Sequence, residues 1–464
     1  MPVLRSRNAA LLAVIESVEG TFQAPSAATD GILVENPQIS FDPQNVETNE
    51  VTGSLDGRGP ILGGLQASLS FRAYLKGSGV PGTPPEYGDI LKACALSETI
   101  TNTSITGTTF SITGGNTIAD SANGLAALTA GTAIALIIAG AFIGEFLVAT
   151  SSAASITVTK MDGSAPGLTN AAAGPTFDIR RGVAAIVASA GTVNSFTAIA
   201  PWAATDQLYT GVPVWLSTNP ATPLLTAMDD YSVARVAKIV ETLGAALSAT
   251  TKASIPAHVL YKPFSGAVPS LSLEAYMDGV RYRFSGVRGD ASFSMNAAGA
   301  CWADITLRGM YTSKADAAVP VVTYDGTRPG TFRASRMTVN RQLAALQTFG
   351  LNLGNQLVFP PNPNAAEGFD PPNIMSRRVG GSIDPLATLV ATRDLMNDFR
   401  MGNEMPIHGR VLGGVGAVAG NRVGLTVPKA FYESYQPGDN QGMMNEQLGF
   451  FARGQDSGFQ LAVF

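Results

Sequence analysis

Residues 268–312, VPSLSLEAYMDGVRYRFSGVRGDASFSMNAAGACWADITLRGMYT, constrain this chain more than any other stretch. Leu271, Leu273, Ala275 and Met277 alternate with Ser270, Ser272, Glu274 and Tyr276. A period of two places the first set on one face of a strand and the second on the other. Asp278-Gly279 follows, a pair suited to a two-residue type I′ turn, whose central residues need positive φ. Val280, Tyr282 and Phe284 then alternate with Arg281, Arg283 and Ser285. The pattern resumes at Ala291, Phe293 and Met295, and again at Ala303, Ile305 and Leu307 against Asp304, Thr306 and Arg308. The reading is an antiparallel meander of about four strands with one buried and one wet face. It holds no catalytic constellation.

The rest of the chain supplies material for more than one such sheet. Its 464 residues correspond to roughly two to four domains, and 45% of them are apolar while 14% are charged. A net charge of −5 argues against a protein that holds nucleic acid by its phosphates, which takes clustered Lys and Arg. Fifty Gly and 28 Pro fit a turn-rich β protein. The two cysteines, Cys94 and Cys301, stand in no metal-binding spacing and read as buried free thiols. The first twenty residues carry Glu16 inside their apolar run, so no signal peptide is read there.

Along the chain, residues 1–31 read as an arm. Residues 32–41 and 65–75 read as two long strands joined by a polar loop, 42–58, containing Asp42, Glu47, Glu50, Asp56 and Arg58. Loops of that length inside compact domains usually serve function or a partner. Pro84-Pro85-Glu86-Tyr87 opens a helix expected to end near Ser97, with Ile90, Leu91, Cys94 and Ala95 on its apolar face. From Thr99 to Lys252 the composition shifts to Ala, Thr, Gly and Ser. Within it, GTAIALIIAGAFIGEFLVAT (131–150) imitates a membrane span. Glu145 interrupts that run, no Lys or Arg flanks it, and alternating β-branched residues follow at 155–159. Short strands of an inserted β-domain are the better reading.

Strand logic resumes at 258–261 and enters the meander. Residues 314–335, with Pro320, Asp325-Gly326 and Pro329-Gly330, read as a linker. A second unit follows, with a strand pair over 336–358, a polar loop at 360–372 and a strand at 374–383. A helix is expected over 384–400, then strands near 405–412, 421–430, 444–453 and 457–464. The last two read as a hairpin turning through 455–458. Both ends of the chain thus show a long polar loop between two strands, one helix, then about four strands, the order expected of a structural duplication. The expected divisions are 1–100 and 253–313 for the first unit, 101–252 for the insertion, and 336–464 for the second unit.

Four pieces of sequence resemble the major tail tube proteins of long-tailed (siphovirus-type) bacteriophages. They are the early arm (19–25), SLSFRAYLKGSG (68–79), PEYGDILKACALSET (85–99), and the meander from 270 to 312. RRVGGSIDP (377–385) and QLGFFARGQDSGFQLAVF at 447–464 are similar more loosely, and the segment 105–182 looks like a β-module carried on a tail's outer face. The resemblance implies a mainly β (α+β) fold: two β-sandwich tube domains, each with a flanking helix, and an exterior β-domain. It implies a structural virion protein whose rings stack into a tail tube that conducts genomic DNA into the host. Two tube domains per chain imply a homotrimeric ring with pseudo-sixfold symmetry, the alternative being a homohexamer. The implied partners are other copies of itself, then tail terminator, distal tail and tape-measure proteins, with DNA passing non-specifically and no membrane insertion. Synthesis in the host cytoplasm, no enzymatic activity, and no cofactor or metal follow on the same footing. The inter-ring loop candidates are Asp42, Glu47, Glu50, Asp56 and Arg58. The sheet candidates, for a neighbour or for the lumen, are Arg72, Glu274, Arg281, Arg283 and Arg308, with pairing to Glu274 or to a neighbour favoured for the meander arginines.

Other motifs read as structural. Gly414 to Gly420 imitates a dinucleotide-binding loop but precedes a strand instead of a helix, so it reads as a turn. His258 and His408 stand near no nucleophile or metal motif. Asp394 and Asp398, beside Arg393 and Arg400, read as a solvated helix face, and Trp302 as core. The competing functions are a surface-layer, fimbrial or carbohydrate-binding protein, the tube of a gene transfer agent or contractile particle, and a glycosidase on a β-scaffold. The last needs paired carboxylates, and the sequence nominates none.

Overall fold

The computed structural model describes residues 7–48, 50–51, 53, 59–219 and 222–464. Strand accounts for 52% of the chain and helix for 3%, so the fold is mainly β. The elements that matter here are β1 (Ala9–Ile15), β2 (Glu35–Val46), β3 (Ile61–Tyr74), α1 (Gly88–Ala93), β4 (Leu96–Thr101), β5 (His258–Pro263), β6 (Leu271–Met277), β7 (Val280–Asn296) and β8 (Cys301–Asp316). In the second half they are β9 (Thr338–Val339), β10 (Leu346–Asn352), β11 (Gly380–Pro385), α2 (Leu395–Met401), β12 (Glu404–Val411), β13 (Val423–Asn440), β14 (Met443–Ala452) and β15 (Gln460–Val463).

Pairing gives the first half the strand order β1-β6-β7-β8-β3-β2. The second half has the order β9-β12-β13-β14-β11-β10. The two orders correspond element for element: a first strand, a hairpin, a helix, then a three-strand meander. The halves are joined edge to edge, because Ser292–Asn296 of β7 pair antiparallel with Asn352–Thr348 of β10. One sheet therefore runs unbroken from β2 to β13.

Alternation explains which face is dry. Leu271, Leu273, Phe284, Phe293, Ile305, Leu307, Leu69 and Phe71 are buried in one core with Ile90, Leu91 and Cys94 of α1. Asp278 and Gly279 both have positive φ and close the β6–β7 turn, with Met277 opposite Val280. A second layer, β4-β5-β15, packs over that core and returns to β13. β5 and β15 are buried on both faces. Val259, Tyr261, Leu461 and Val463 face the main core, while Leu260, Ala462 and Phe464 enter another. That is why these segments read as continuous apolar runs.

The other core belongs to the insertion, which forms two seven-stranded sheets from residues 103–181 and 183–255. The first has its own core around Phe110, Phe146, Phe177 and Ile179. The second packs Trp202, Val214, Tyr231 and Ile239 against β5 and β15. Residues 133–138 and 141–151 are two strands of the first sheet, not a span. No helix among the described residues is long and apolar enough to cross a membrane.

Several local expectations are corrected. The helix expected over 85–97 covers Gly88–Ala93 only, because Ala95 has positive φ and the chain turns there into β4. The helix expected over 384–400 is confined to Leu395–Met401. Asp384 instead accepts from Gln347 N and Thr348 N at 3.0 and 2.7 Å, holding its segment to β10. Asp394 is the true N-cap, accepting from Asn397 N at 2.8 Å, and left-handed Gly402 ends the helix. Residues 448–463 are not a hairpin. β15 lies along the same edge of β13 as β14 does, so the chain continues in one direction past a looped-out 453–459. The polar loop after the first strand is shorter than expected, since β2 runs to Val46 and β3 begins at Ile61. Trp302 is not core: it lies half-exposed on the wet face of β8. Gly414–Ala417 forms a 3-10 turn leading to β13.

Candidate functional site

The wet face of the shared sheet is an extended polar surface. Register carries one row across seven strands: Tyr74, Trp302, Ser294, Gly350, Ser382, Gly449 and Ser434. Neighbouring rows add Gln38, Ser70, Thr306 and Asp290, then Ser40, Ser68 and Arg308. The face is built chiefly of hydroxyl, amide and glycine positions. Part of its charge is paired: Arg72 Nε donates to Asp304 Oδ1 at 2.8 Å, and its guanidinium lies 4.5 Å from the Trp302 ring centroid. The hydrogen bond to Asp304 holds Arg72 above its ordinary pKa. Tyr74 donates to Glu35 at 2.8 Å, which raises the phenol's pKa. Arg308 is exposed and faces a groove lined by Ser40, Asp42, Gln66 and Ser68.

The other arginine candidates are placed differently. Arg283 Nε donates to Glu274 Oε1 at 2.8 Å, Arg281 lies 3.9 Å from the same oxygen, and Tyr276 donates to Oε2 at 2.7 Å. Glu274 is buried, and Phe22 of the N-terminal arm lies under the Arg283 guanidinium at 4.8 Å. The cluster ties the arm to the meander. Arg288, also buried, reaches further. It donates to Glu19, to Val268 O, and to Pro372 O and Asn373 Oδ1 of the second half.

Of the loop candidates, Asp42 sits within β2 opposite Gln66 and is exposed. Glu47 and Glu50 are exposed beyond the end of β2. Asp56 and Arg58 lie outside the described residues. β2 is an edge strand, and Pro37 and Pro43 stand at its two register shifts, where a missing N–H costs no ladder bond.

The seam between the halves is the second feature. Beside the β7–β10 ladder, residues 353–379 form an arm that crosses the first half. Asn355 Nδ2 donates to Cys94 O at 2.9 Å and Gly289 O at 3.1 Å, and Asn355 N donates to Asp290 Oδ1 at 3.0 Å. Burial raises the Asp290 carboxyl's pKa. Arg377 donates to Ala95 O and Phe264 O, and Glu367 accepts from Leu65 N. The loop 75–87 is covered from the second half, with Gly77 N donating to Asn421 Oδ1 and Gly79 N to Gly420 O. None of residues 75–87 is exposed. Asn355 was not foreseen, and a lone Asn in a polar stretch gives no signal of burial.

Among the described residues, the titratable groups most often used in catalysis are dispersed. His258 and His408 are fully buried on opposite elements, and burial pushes His258 down to about 4 and His408 well below its usual range. Among the described residues no group of three or more His, Cys, Asp or Glu is arranged to hold a metal ion. Cys94 and Cys301 are buried and unpaired. Asp398 is not merely solvated: it accepts from Asn340 and Asn403. Compared with known protein families, residues 6–452 match the family described as phage tail tube protein. No curated protein matches the chain.

Proposed function

The chain belongs to the phage tail tube protein family, structural components of the virion tail, and from that premise we propose that its copies close into rings that stack into the tube. The wet face of the shared sheet lines the lumen, and the genome passes along it. The observation that carries this reading is the continuity of that face across two corresponding halves. A sheet that ends in open edges aggregates unless the edges are closed, and a ring closes them. A lining of hydroxyls, amides and paired ions offers DNA phosphates few unpaired cations, so it does not trap what must slide past.

Strand number supports a definite size. Eight strands of each chain, β2 to β13, form the wall. At about 4.8 Å per strand, three chains give a wall of roughly 115 Å circumference, about 37 Å across before tilt widens it, and six chains double that. The trimer, with pseudo-sixfold symmetry, suits a channel for one duplex. The inserted sheets, attached on the far side of the core from the wet face, lie outside. Asp42, Glu47 and Glu50 reach the adjacent ring. Terminator, distal and tape-measure proteins meet the tube at its ends and interior.

Electron microscopy of the purified protein tests this. Stacked rings with a channel near 40 Å support it, a channel near 80 Å replaces the trimer with a hexamer, and a monodisperse monomer at high concentration removes the ring reading.

A further inference from the structure

The two halves correspond, yet their matching surfaces are not equally covered. Loop 75–87, between β3 and α1, is shielded by residues 325–328 of the linker and 420–421 of the second half. Its counterpart between β11 and α2 has no such cover: residues 388–392 are all exposed, Leu389 at 81% and Val390 at 72%. Met443 and Met444 lie beside it, with Ala387 N donating to Met444 O at 2.9 Å, and are also exposed. The end of α1 is capped by Asn355 and Arg377, whereas Met401 at the end of α2 is 64% exposed. The last strand residues of β7 pair with β10, while the corresponding part of β13, residues 433–440, pairs along one edge only, with β14. Buried polar atoms at the same place, Arg393 Nε, Asn445 Oδ1 and Glu446 Oε2, find no hydrogen-bond partner within the chain.

The complementary surface is open at the other end. β10 and its arm are used in the internal seam, but β2 keeps a free edge, and Val46 at its end with Ile61 and Leu62 of β3 beside it are 55–63% exposed. We infer that the patch of Leu389, Val390, Met401, Met443 and Met444 is the seat of the first half of a second copy of this chain, which lays β2, with Val46, Ile61 and Leu62, there as β10 lies on the first half within the chain. The occupant follows from continuity with the internal seam, whose two sides recur unpaired at opposite ends of one molecule. Such a contact joins unlike surfaces, so it runs head to tail and closes only as a ring or continues as a filament. This inference rests on the ring reading and assigns its interface.

The test uses two full-length variants, L389D/V390D and I61D/L62D, all four positions being exposed, with circular dichroism to confirm the parental fold. Sedimentation velocity on each alone shows loss of rings at concentrations where the parent is fully assembled. An equimolar mixture gives one-to-one dimers that grow no further, because each chain retains the face the other lacks. L389D/V390D rings formed at the parental concentration overturn the assignment while leaving the ring reading intact, as does a mixture that stays monomeric. A parent that forms no rings overturns the ring reading itself.

Discussion

Replacing Asn355 by Ala isolates the strength of the internal seam. The Asn355 amide nitrogen supplies hydrogen to two main-chain carbonyls, of Cys94 and Gly289, at a buried point between the halves. Alanine leaves both carbonyls without that donor. An unsatisfied buried acceptor costs about 1–3 kcal/mol and a satisfied neutral bond is worth about 0.5–1.5 kcal/mol, so the pair is worth about 2–3 kcal/mol after partial relaxation. A fully cooperative unfolding of so long a chain would move little in melting temperature. Local opening is the sensitive readout. Hydrogen exchange at Ser292–Asn296 and Thr348–Asn352 should accelerate about 30- to 150-fold in N355A, the factor equivalent to that free energy. The module of residues 103–181, which has its own core, should exchange as in the parent. N355D should be worse than N355A at neutral pH, because the new carboxylate would meet the Cys94 and Gly289 carbonyl oxygens with no hydrogen to donate. Unchanged protection in both seam strands would refute the claim that this side chain pins the halves.

Three further outcomes are expected. R422A strands Glu145, a buried carboxylate that Arg422 meets at 2.7 Å and Trp215 at 2.9 Å, at about 3–5 kcal/mol; limited proteolysis should then release residues 103–181, and E145L/R422M should restore resistance. Asp229 is raised by burial to about 6 despite its pairing with Arg341, so its folded form holds a proton that the unfolded form loses nearer 4. That contribution is full below pH 4 and lost as pH rises to 6, and D229N should flatten the melting temperature over that window. G381A places a Cβ 2.1 Å from Gly350 O and should cost at least about 1–3 kcal/mol, read as a lowered melting temperature with exchange rising first in β10 and β11.

Period-two alternation finds the dry face of the meander but not its strand count: three strands stand where about four are expected, because Val280–Asn296 runs through Arg288-Gly289 as one strand with register shifts. Leu271, Phe284 and Ile305 each follow the alternation of their own stretch, while Phe293, nine residues from Phe284 in the same strand, shares its face because the register shifts between Ser285 and Arg288. Pairing partners are another matter. Leu448 to Val463 looks like a hairpin, since apolar alternation flanks a turn-forming Asp456-Ser457-Gly458, but the same pattern fits a strand that loops out and resumes. Helix length was overestimated twice for a related reason: apolar spacing is similar in a short helix that runs into a strand, and Ala95 and Asp384 act through backbone contacts that sequence does not display. At the candidate site, the Arg72, Asp304 and Arg308 side chains fall on the wet face by parity alone. Glu274 has the same parity, but the arm residue Phe22, some 250 positions earlier, covers its cluster. Asn355 and Leu389 draw their meaning from what covers each of two matching surfaces, which is tertiary information throughout.

The double burial of β5 and β15 has a kinetic consequence. Residues 96–101 find their partner only at 258–263, which is then flanked by 460–463. Loops of such length close slowly, and their contacts form late. Until residue 463 has left the ribosome, Leu260, Tyr261 and Val423 lack the strand that covers them, and both the main core and that of the nearer inserted sheet stand open. A truncated nascent chain therefore presents apolar surface that chaperones and proteases recognise, instead of a half-formed subunit able to enter a growing tube.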